Sequence, residues 1–463
     1  MILNCYEYSS FDVNNLPAEW QSQSSLSGLI QFLQSNWEQR SIFYNDNEIS
    51  GRQQFLEISN FKRLITKNYI GTIAYKGHQL NIFPRVFKGD KYDTDCSNQS
   101  LDFLMKNLVK WIEYSTKFDY PYINISANVK NSNDLQELFI SLYVRYVKSA
   151  LDRGLFYRYE DKVEDLNTIR GKFDIKDYYI NKYANGVFNK FKCEYSTFEF
   201  DNLLNRVIKY TLKMVSKLSK TNITNQKIIR NLLLKLNDVS DIKCVPSDCD
   251  KIKLSKMQEN YRVILNMSKI FLMNCSTDYN IDSQDTFCFL FPTEVLFEGF
   301  IGGYLQHILQ GEAIVKTQVK QVLANKGYYG SEEFDVNLVI RPDIMVHHNS
   351  NGLYILDTKY KETSRLIEMK KNPRLINEEI RSGDTYQVLM YAMKNGRSNV
   401  YLLYPQFNGE DPDLQSLIIP VPMPNSDGSE YIINVHLVRL PFVFEDDERV
   451  SENLKKVLKN IFN

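Results

Sequence analysis

Two aspartates and a lysine carry the most informative spacing in this 463-residue sequence. Residues 341–346 (RPDIMV) and 354–359 (YILDTK) are strand-like runs joined by a short polar turn, the pattern of an antiparallel hairpin. Along a strand alternate side chains share a face, so Asp357 and Lys359 project together, about 6–7 Å apart, with Ile355 before them. Asp343, on the first strand, can then lie beside Asp357 with the lysine ammonium at their edge. Carboxylates brought together repel, and burying them unpaired is costly. A hard divalent cation such as Mg²⁺ resolves that conflict, because it prefers carboxylate oxygens and keeps several waters. Such a cation polarises a phosphodiester and supplies an activated water, and Lys359 can orient that water or stabilise developing charge. The residue types therefore suit metal-assisted phosphodiester hydrolysis. An exposed ion pair on a hairpin is the alternative they leave open, since Asp-x-Lys also occurs at Asp174/Lys176 and Asp241/Lys243.

The elements that must hold this hairpin can be read on either side of it. Residues 293–309 have the pattern of a helix, strands are expected around 315–322, 334–346 and 353–359, and a helix at 384–393 precedes a strand at 400–404. That order is mixed α/β. Before it, Leu101, Leu104, Met105, Leu108 and Ile112 fall on one helical face. Further helices are expected over 135–151, where Asp134 and Glu137 resemble a capping box, and over 201–218, 222–236 and 256–273. The first hundred residues contain a hairpin, 69–75 and 79–83 about Lys76-Gly77, and end in a hydrophilic stretch, 89–100. The sequence thus reads as an α/β multidomain chain in three parts: 1–100, β-rich; 101–280, predominantly helical; 281–463, mixed.

Composition is that of a globular protein, 43% apolar and 24% charged, with 56 basic and 56 acidic residues. The zero sum hides a cancellation: residues 101–280 carry 29 basic and 21 acidic groups, residues 281–463 carry 18 and 25. Only the middle has the charge of a phosphate-facing surface. Its most regular feature is Lys209, Lys213, Lys217 and Lys220, a helical stripe that is either a solvated outer face or a DNA-backbone contact. No apolar run approaches the ~18 residues of a spanning helix, and no membrane partner is expected. Residues 1–10 lack the features of a signal peptide. Seven scattered cysteines without CxxC read as reduced thiols of a cytoplasmic protein. His347 and His348 read as a solvated turn.

Taken together, Pro342-Asp343 and Asp357-Thr358-Lys359 resemble the active-site signature of the PD-(D/E)xK nuclease superfamily. Gln387 and Tyr391, i and i+4 on a helix, match its QxxxY motif, and Glu298 lies on a helix where such folds supply a further acidic residue. More narrowly, the chain resembles the McrC family, the nuclease subunits of McrBC-type restriction systems, and its counterparts in LlaJI- and BsuMI-type systems. Residues 69–84 (YIGTI…LNIFP), 153–173 (RGLFY…IRGKF) and 193–206 (CEY…FDNLLNR) also carry this likeness, which runs from about 68 to 442.

The resemblance implies a C-terminal restriction-endonuclease-like mixed sheet flanked by helices. It implies Asp343, Asp357, Lys359, Glu298, Gln387 and Tyr391 as catalytic residues, with Asp343 and Asp357 on Mg²⁺. It also implies that the preceding regions dock onto a hexameric McrB-like AAA+ GTPase. The sequence holds no GxxxxGK[ST] segment, so nucleotide hydrolysis would belong to that partner. The expected function is a DNA endonuclease subunit of an anti-phage restriction system, acting on double-stranded DNA. Its target is either methylated DNA or an unmodified site protected by a cognate methyltransferase. A non-catalytic adaptor that activates the GTPase and contacts DNA is the alternative.

Overall fold

The computed structural model describes residues 1–35, 55–59, 62–88, 101–115, 135–154, 156–219, 222–255, 258, 260–275, 287–329, 332–362, 382–407, 416–424, 428–444 and 447–462. The chain divides into two compact units, one formed by Met1–Leu135 with Asp285–Asn463 and one by Gln136–Gln284. This is not the three-part division read from the sequence, and strand pairing gives the reason.

In the first unit, β1 (Ile2–Tyr6), β5 (Tyr69–Tyr75) and β6 (His78–Phe83) share a sheet with β10 (Phe287–Pro292), in the order β1-β6-β5-β10. Strand β10 reads FCFLFP and every residue is buried, as suits a strand covered on both faces. It lies antiparallel to β5, with Leu290 opposite Gly71. Gly71 has φ +136°, and a Cβ there would stand 2.0 Å from the Phe289 carbonyl oxygen, so only glycine admits this neighbour. A smaller sheet, β2 (Ser10–Asp12), β4 (Arg63–Thr66) and β3 (Leu56–Ser59), adjoins helix α1 (Gln23–Ser35) in the sequence and shares a core with it.

Helix α2 (Leu101–Tyr114) forms as its periodicity predicts, but it packs within this same unit. Trp111 stacks on Phe442 at 3.9 Å and on Phe87 at 5.0 Å, and its Nε1 donates to the Phe442 carbonyl at 3.0 Å. Asn107 exchanges two hydrogen bonds with the Phe444 backbone. The hydrophilic stretch 89–100 before the helix lies outside the described residues.

The second sheet of this unit has the order β11-β14-β15-β16-β18-β17: Ala313–Thr317, Ile344–His348, Gly352–Thr358, Asn399–Gln406, Glu430–Pro441 and Ser416–Pro424. Strands β14 and β15 are antiparallel, whereas β15, β16 and β18 run parallel. The expected strand at 334–346 is two strands, because Pro342 has no N–H to donate. Its first half, β13 (Glu332–Ile340), pairs instead with β12 (Gln321–Tyr329) in a separate hairpin. Alternation along the strands gives the sheet two covered faces. Ile355 and Leu402 pack against Val388, Tyr391 and Ala392 of the helix at Ser382–Asn395, while Tyr354 meets Phe462 of the helix at Asp447–Phe462. The helix at Thr293–Ile308 is apolar nearly all round and buried up to Leu305, except at Glu294 and Glu298.

The second unit contains the helices Leu135–Arg153, Leu203–Leu218, Ile223–Lys235 and Asn260–Cys275, near their expected bounds. It is less helical than expected: β7 (Arg158–Leu166), β9 (Phe191–Glu199) and β8 (Lys172–Phe173) form an antiparallel sheet. The sequence RYEDKVEDL shows no apolar alternation because neither of its faces is fully covered. Asp134 lies outside the described residues, and Glu137 is buried, accepting from Ser219 Oγ at 2.8 Å and Asn225 Nδ2 at 3.1 Å.

The lysine stripe is also corrected. Lys209 is buried, donating to the Val239 carbonyl at 2.6 Å and the Asn237 carbonyl at 3.3 Å, and Lys213 pairs with Asp241 at 2.7 Å. Lys217 is exposed, and Lys220 lies outside the described residues. Residues 236–241 fold over the start of the stripe, so the charges of Lys209 and Lys213 are answered within the fold rather than presented to a phosphate backbone. Among the described residues no helix is long and apolar enough to cross a membrane.

Candidate active site

The site grows out of the β14–β15 hairpin. Ile344 pairs with Leu356, so one step further out Asp343 falls opposite Asp357. The Asp343 carboxylate turns across the pair: its Oδ2 accepts from the Thr358 backbone N–H and from Thr358 Oγ1, both at 2.8 Å. Asp357 is fully buried, and among the described residues no donor reaches its Oδ1. Its compensation is the Lys359 ammonium, 2.5 Å from Oδ2.

Burial, and then the neighbouring Asp343 charge, push the Asp357 carboxyl up to about 7, against the pull of Lys359. Burial works to lower Lys359, but the charges of Asp357 and Asp343 outweigh it and leave the ammonium above its ordinary value.

The helix at Ser382–Asn395 sets the lysine. Lys359 Nζ donates to Gln387 Oε1 at 3.1 Å, Gln387 Nε2 donates to Tyr391 Oη at 2.6 Å, and Tyr391 Oη donates to the Arg341 carbonyl at 3.1 Å. The i, i+4 spacing of Gln387 and Tyr391 is what lets one helix face carry both links. Burial raises the Tyr391 hydroxyl well above its ordinary value, so it stays a donor.

Glu298 reaches the same place from the Thr293–Ile308 helix, through Gln318. The Gln318 amide nitrogen donates to Glu298 Oε1 at 2.6 Å and to Asp343 Oδ1 at 3.0 Å. All six residues singled out in the sequence are therefore brought together. Glu298, Asp343, Lys359, Gln387 and Tyr391 line one cleft of about 550 Å³, and Asp357 lies directly beneath Lys359. Gln318, Arg341 and Lys361 also line it. Sequence reasoning missed Gln318, since no spacing rule ties it to residues 20 and 25 positions away. The one signal it bears is structural: φ +52° in a residue that is not glycine, a conformation costing about 1 kcal/mol.

Whether these residues fit a cation turns on Asp357. A buried carboxylate answered by one ammonium, beside a second carboxylate, is a donor pair that a hard divalent ion satisfies. Among the described residues no group of three or more His, Cys, Asp or Glu side chains is placed to hold a metal ion, so Asp343 and Asp357 are the two carboxylates the cleft offers together. His347 and His348 end strand β14 rather than lying in the turn, and His348 stacks on Phe462, facing away from this use.

The profile of the family described as McrBC 5-methylcytosine restriction system component matches residues 64–405. The chain belongs to that family, as an McrC-family subunit. The matched span takes in strand β5 and every residue of the cleft named above. No curated protein matches the chain. In fold, this McrBC-family chain is similar over its whole length to a chain in the refined half-complex from the tetradecameric assembly of Thermococcus gammatolerans McrB AAA+ hexamers with bound McrC. The TM-score is 0.62 at 16% identity, with 100% of each chain covered. A chain of the cryo-EM structure of the Thermococcus gammatolerans McrBC complex matches with a TM-score of 0.46 at 19% identity, over 67% of this chain and 88% of that one.

Proposed function

We propose that this McrC-family chain is the DNA endonuclease subunit of a restriction system, hydrolysing phosphodiester bonds with Mg²⁺ and acting with a McrB-like AAA+ GTPase hexamer. One observation carries the reading: Asp357 is a fully buried carboxylate opposite Asp343 and 2.5 Å from the Lys359 ammonium, and Asp343 and Lys359 both line one cleft. A structural ion pair would have no reason to open on a cleft with a second carboxylate beside it. The mixed sheet with helices on both faces supports a PD-(D/E)xK assignment for the part that carries the cleft.

In this reading Asp343 and Asp357 hold the cation, which when bound polarises the phosphodiester and lowers the pKa of a water. Lys359 directs that water or answers charge developing on the phosphate. Gln387 and Tyr391 hold the lysine through the hydrogen-bond chain to the Arg341 carbonyl. Arg341, at the cleft wall, is placed to meet a flanking phosphate, whereas Lys361 pairs there with Asp384.

Docking to the GTPase is assigned to the second unit. Tyr159, Tyr179, Ile180, Tyr183, Phe188 and Phe198 are each more than half exposed on or beside its small sheet, a concentration of apolar surface that marks a partner site. The solved relative is bound to McrB hexamers, and this sequence lacks a Walker A segment of its own. The family's description favours methylated DNA as target, whereas a methyltransferase encoded beside this chain would point to an unmodified site.

The test is Asp357→Asn and Lys359→Ala in the full chain with its partner GTPase. Cleavage should disappear while co-elution with the GTPase persists, and full cutting by either variant overturns the assignment. Calorimetric Mg²⁺ binding by the full chain separates this reading from a non-catalytic adaptor, which need not bind the ion. The full chain is required, because β10 and α2 tie the C-terminal part to the first 115 residues.

A further inference from the structure

We infer that Gln318 is a positioning residue that competes with a divalent cation for Glu298 and Asp343. The inference rests on the proposed cation-dependent cleft and assigns a new residue to it. Three observations meet at this one side chain. Its amide nitrogen donates to both Glu298 Oε1 and Asp343 Oδ1, so a single donor stands between two carboxylates that would otherwise repel. Its backbone N–H donates to the Asp343 carbonyl at 2.8 Å, anchoring it one step beyond the β11–β14 ladder, where Thr317 pairs with Ile344. Its backbone is left-handed at φ +52°, a conformation that costs energy in any residue with a Cβ and that persists only where the surroundings hold it.

An amide offers two N–H groups in the place where a cation would offer positive charge, and here they answer one oxygen of each carboxylate. A cation held by Asp343 and Asp357 has to displace the Gln318 bond to Asp343 Oδ1, and one that also draws in Glu298 has to displace both, so the affinity of the cleft is reduced by whatever these bonds contribute. The arrangement keeps Glu298 in register with the aspartates when no ion is bound, and it sets a threshold below which the cleft does not load.

The experiment compares the full-length wild type with Gln318→Leu, Gln318→Gly and Asp357→Asn by titration calorimetry with Mn²⁺ and Mg²⁺, and by thermal denaturation in EDTA and in Mg²⁺. Leucine keeps the size and the strained backbone but lacks the amide; glycine removes both the amide and the strain. Both are expected to bind Mn²⁺ about tenfold more tightly than the wild type, and Gln318→Leu is expected to melt lower in EDTA and to recover in Mg²⁺. Unchanged or weaker binding by both variants, with wild-type binding intact, overturns the role of Gln318. Asp357→Asn should bind no ion. If it binds as the wild type does, or if the wild type binds none, the cation reading of the cleft fails instead.

Discussion

The chain contains Asp357-Thr358-Lys359 and Asp241-Ile242-Lys243, the same spacing in two environments. Asp357 is fully buried, faces a second aspartate, and has its carboxyl pushed up to about 7. The Asp241 side chain is 59% exposed and sits between Lys213 and Lys209; the hydrogen bond from Lys213 is the main cause of a carboxyl held below its ordinary value. The lysines that meet the two aspartates also differ. Lys359 directly follows the strand of its aspartate and lines a cleft, whereas Asp241 is met by Lys209 and Lys213 of another element, and the buried Lys209 is also tied to the Val239 and Asn237 carbonyls. Spacing supplies the groups in both regions. Strand pairing and burial set one of them beside a cleft and leave the other near the surface.

That contrast breaks first under substitution of the aspartates. Asp357→Asn is expected to reduce DNA cleavage by on the order of 10³-fold or more, the loss of several kcal/mol of cation-assisted stabilisation. Asp241→Asn should leave cleavage within about twofold. Initial rates on plasmid DNA with the partner GTPase and Mg²⁺ measure both, and equal losses would erase the distinction.

A finer test addresses how Lys359 is held. Tyr391→Phe removes the hydroxyl that links Gln387 to the Arg341 carbonyl, and should lower kcat about tenfold with little change in KM, as expected when orientation is lost and binding is kept. A rise in KM alone would assign Tyr391 to DNA binding.

In the second region the effect should fall on stability. Lys209→Met keeps the buried stem but leaves two carbonyls without their donor, at a cost of about 1–2 kcal/mol by urea unfolding, with DNA affinity unchanged. A salt-dependent loss of DNA binding would restore the basic stripe as a contact surface.

The smallest effect is one of pH. Asp201 accepts from Arg206 Nε at 2.8 Å and from Ser240 Oγ at 2.5 Å, and the hydrogen bond from Arg206, ahead of that from Ser240, holds its carboxyl well below the ordinary range. A folded-state pKa below the unfolded one gives stability that is fully present above about pH 4 and is lost as pH falls through the folded value. Asp201→Asn should therefore destabilise the protein at pH 7 by no more than about 1 kcal/mol, the pair being near water, and the difference should vanish in acid. A difference that persists in acid would assign the effect to packing.

Local patterns foretold much of this. The hairpin that pairs Asp343 with Asp357, the shared face of Asp357 and Lys359, the i, i+4 relation of Gln387 and Tyr391, and the helix at 101–114 all arise from contacts between near neighbours, which leave a period of 2 or 3.6 in the apolar residues. What the periodicity could not convey is company. Trp111 finds Phe442 across 331 positions, and β10 finds β5 across more than two hundred, so one unit is built from both ends of the chain. Strand β7 went unseen because it lacks a covered face to leave an apolar trace.

Residue types and their local spacing thus determine which groups can do chemistry and which way each points along its own element. Folding determines whether a carboxylate loses its water, and that separates Asp357 from Asp241. It also puts Gln318 between two acids, a contact between residues that share no element and no period. The physical reason is the same in both cases: desolvation and cross-chain hydrogen bonds depend on what packs nearby, and neighbours in space are set by the whole chain rather than by any window of it.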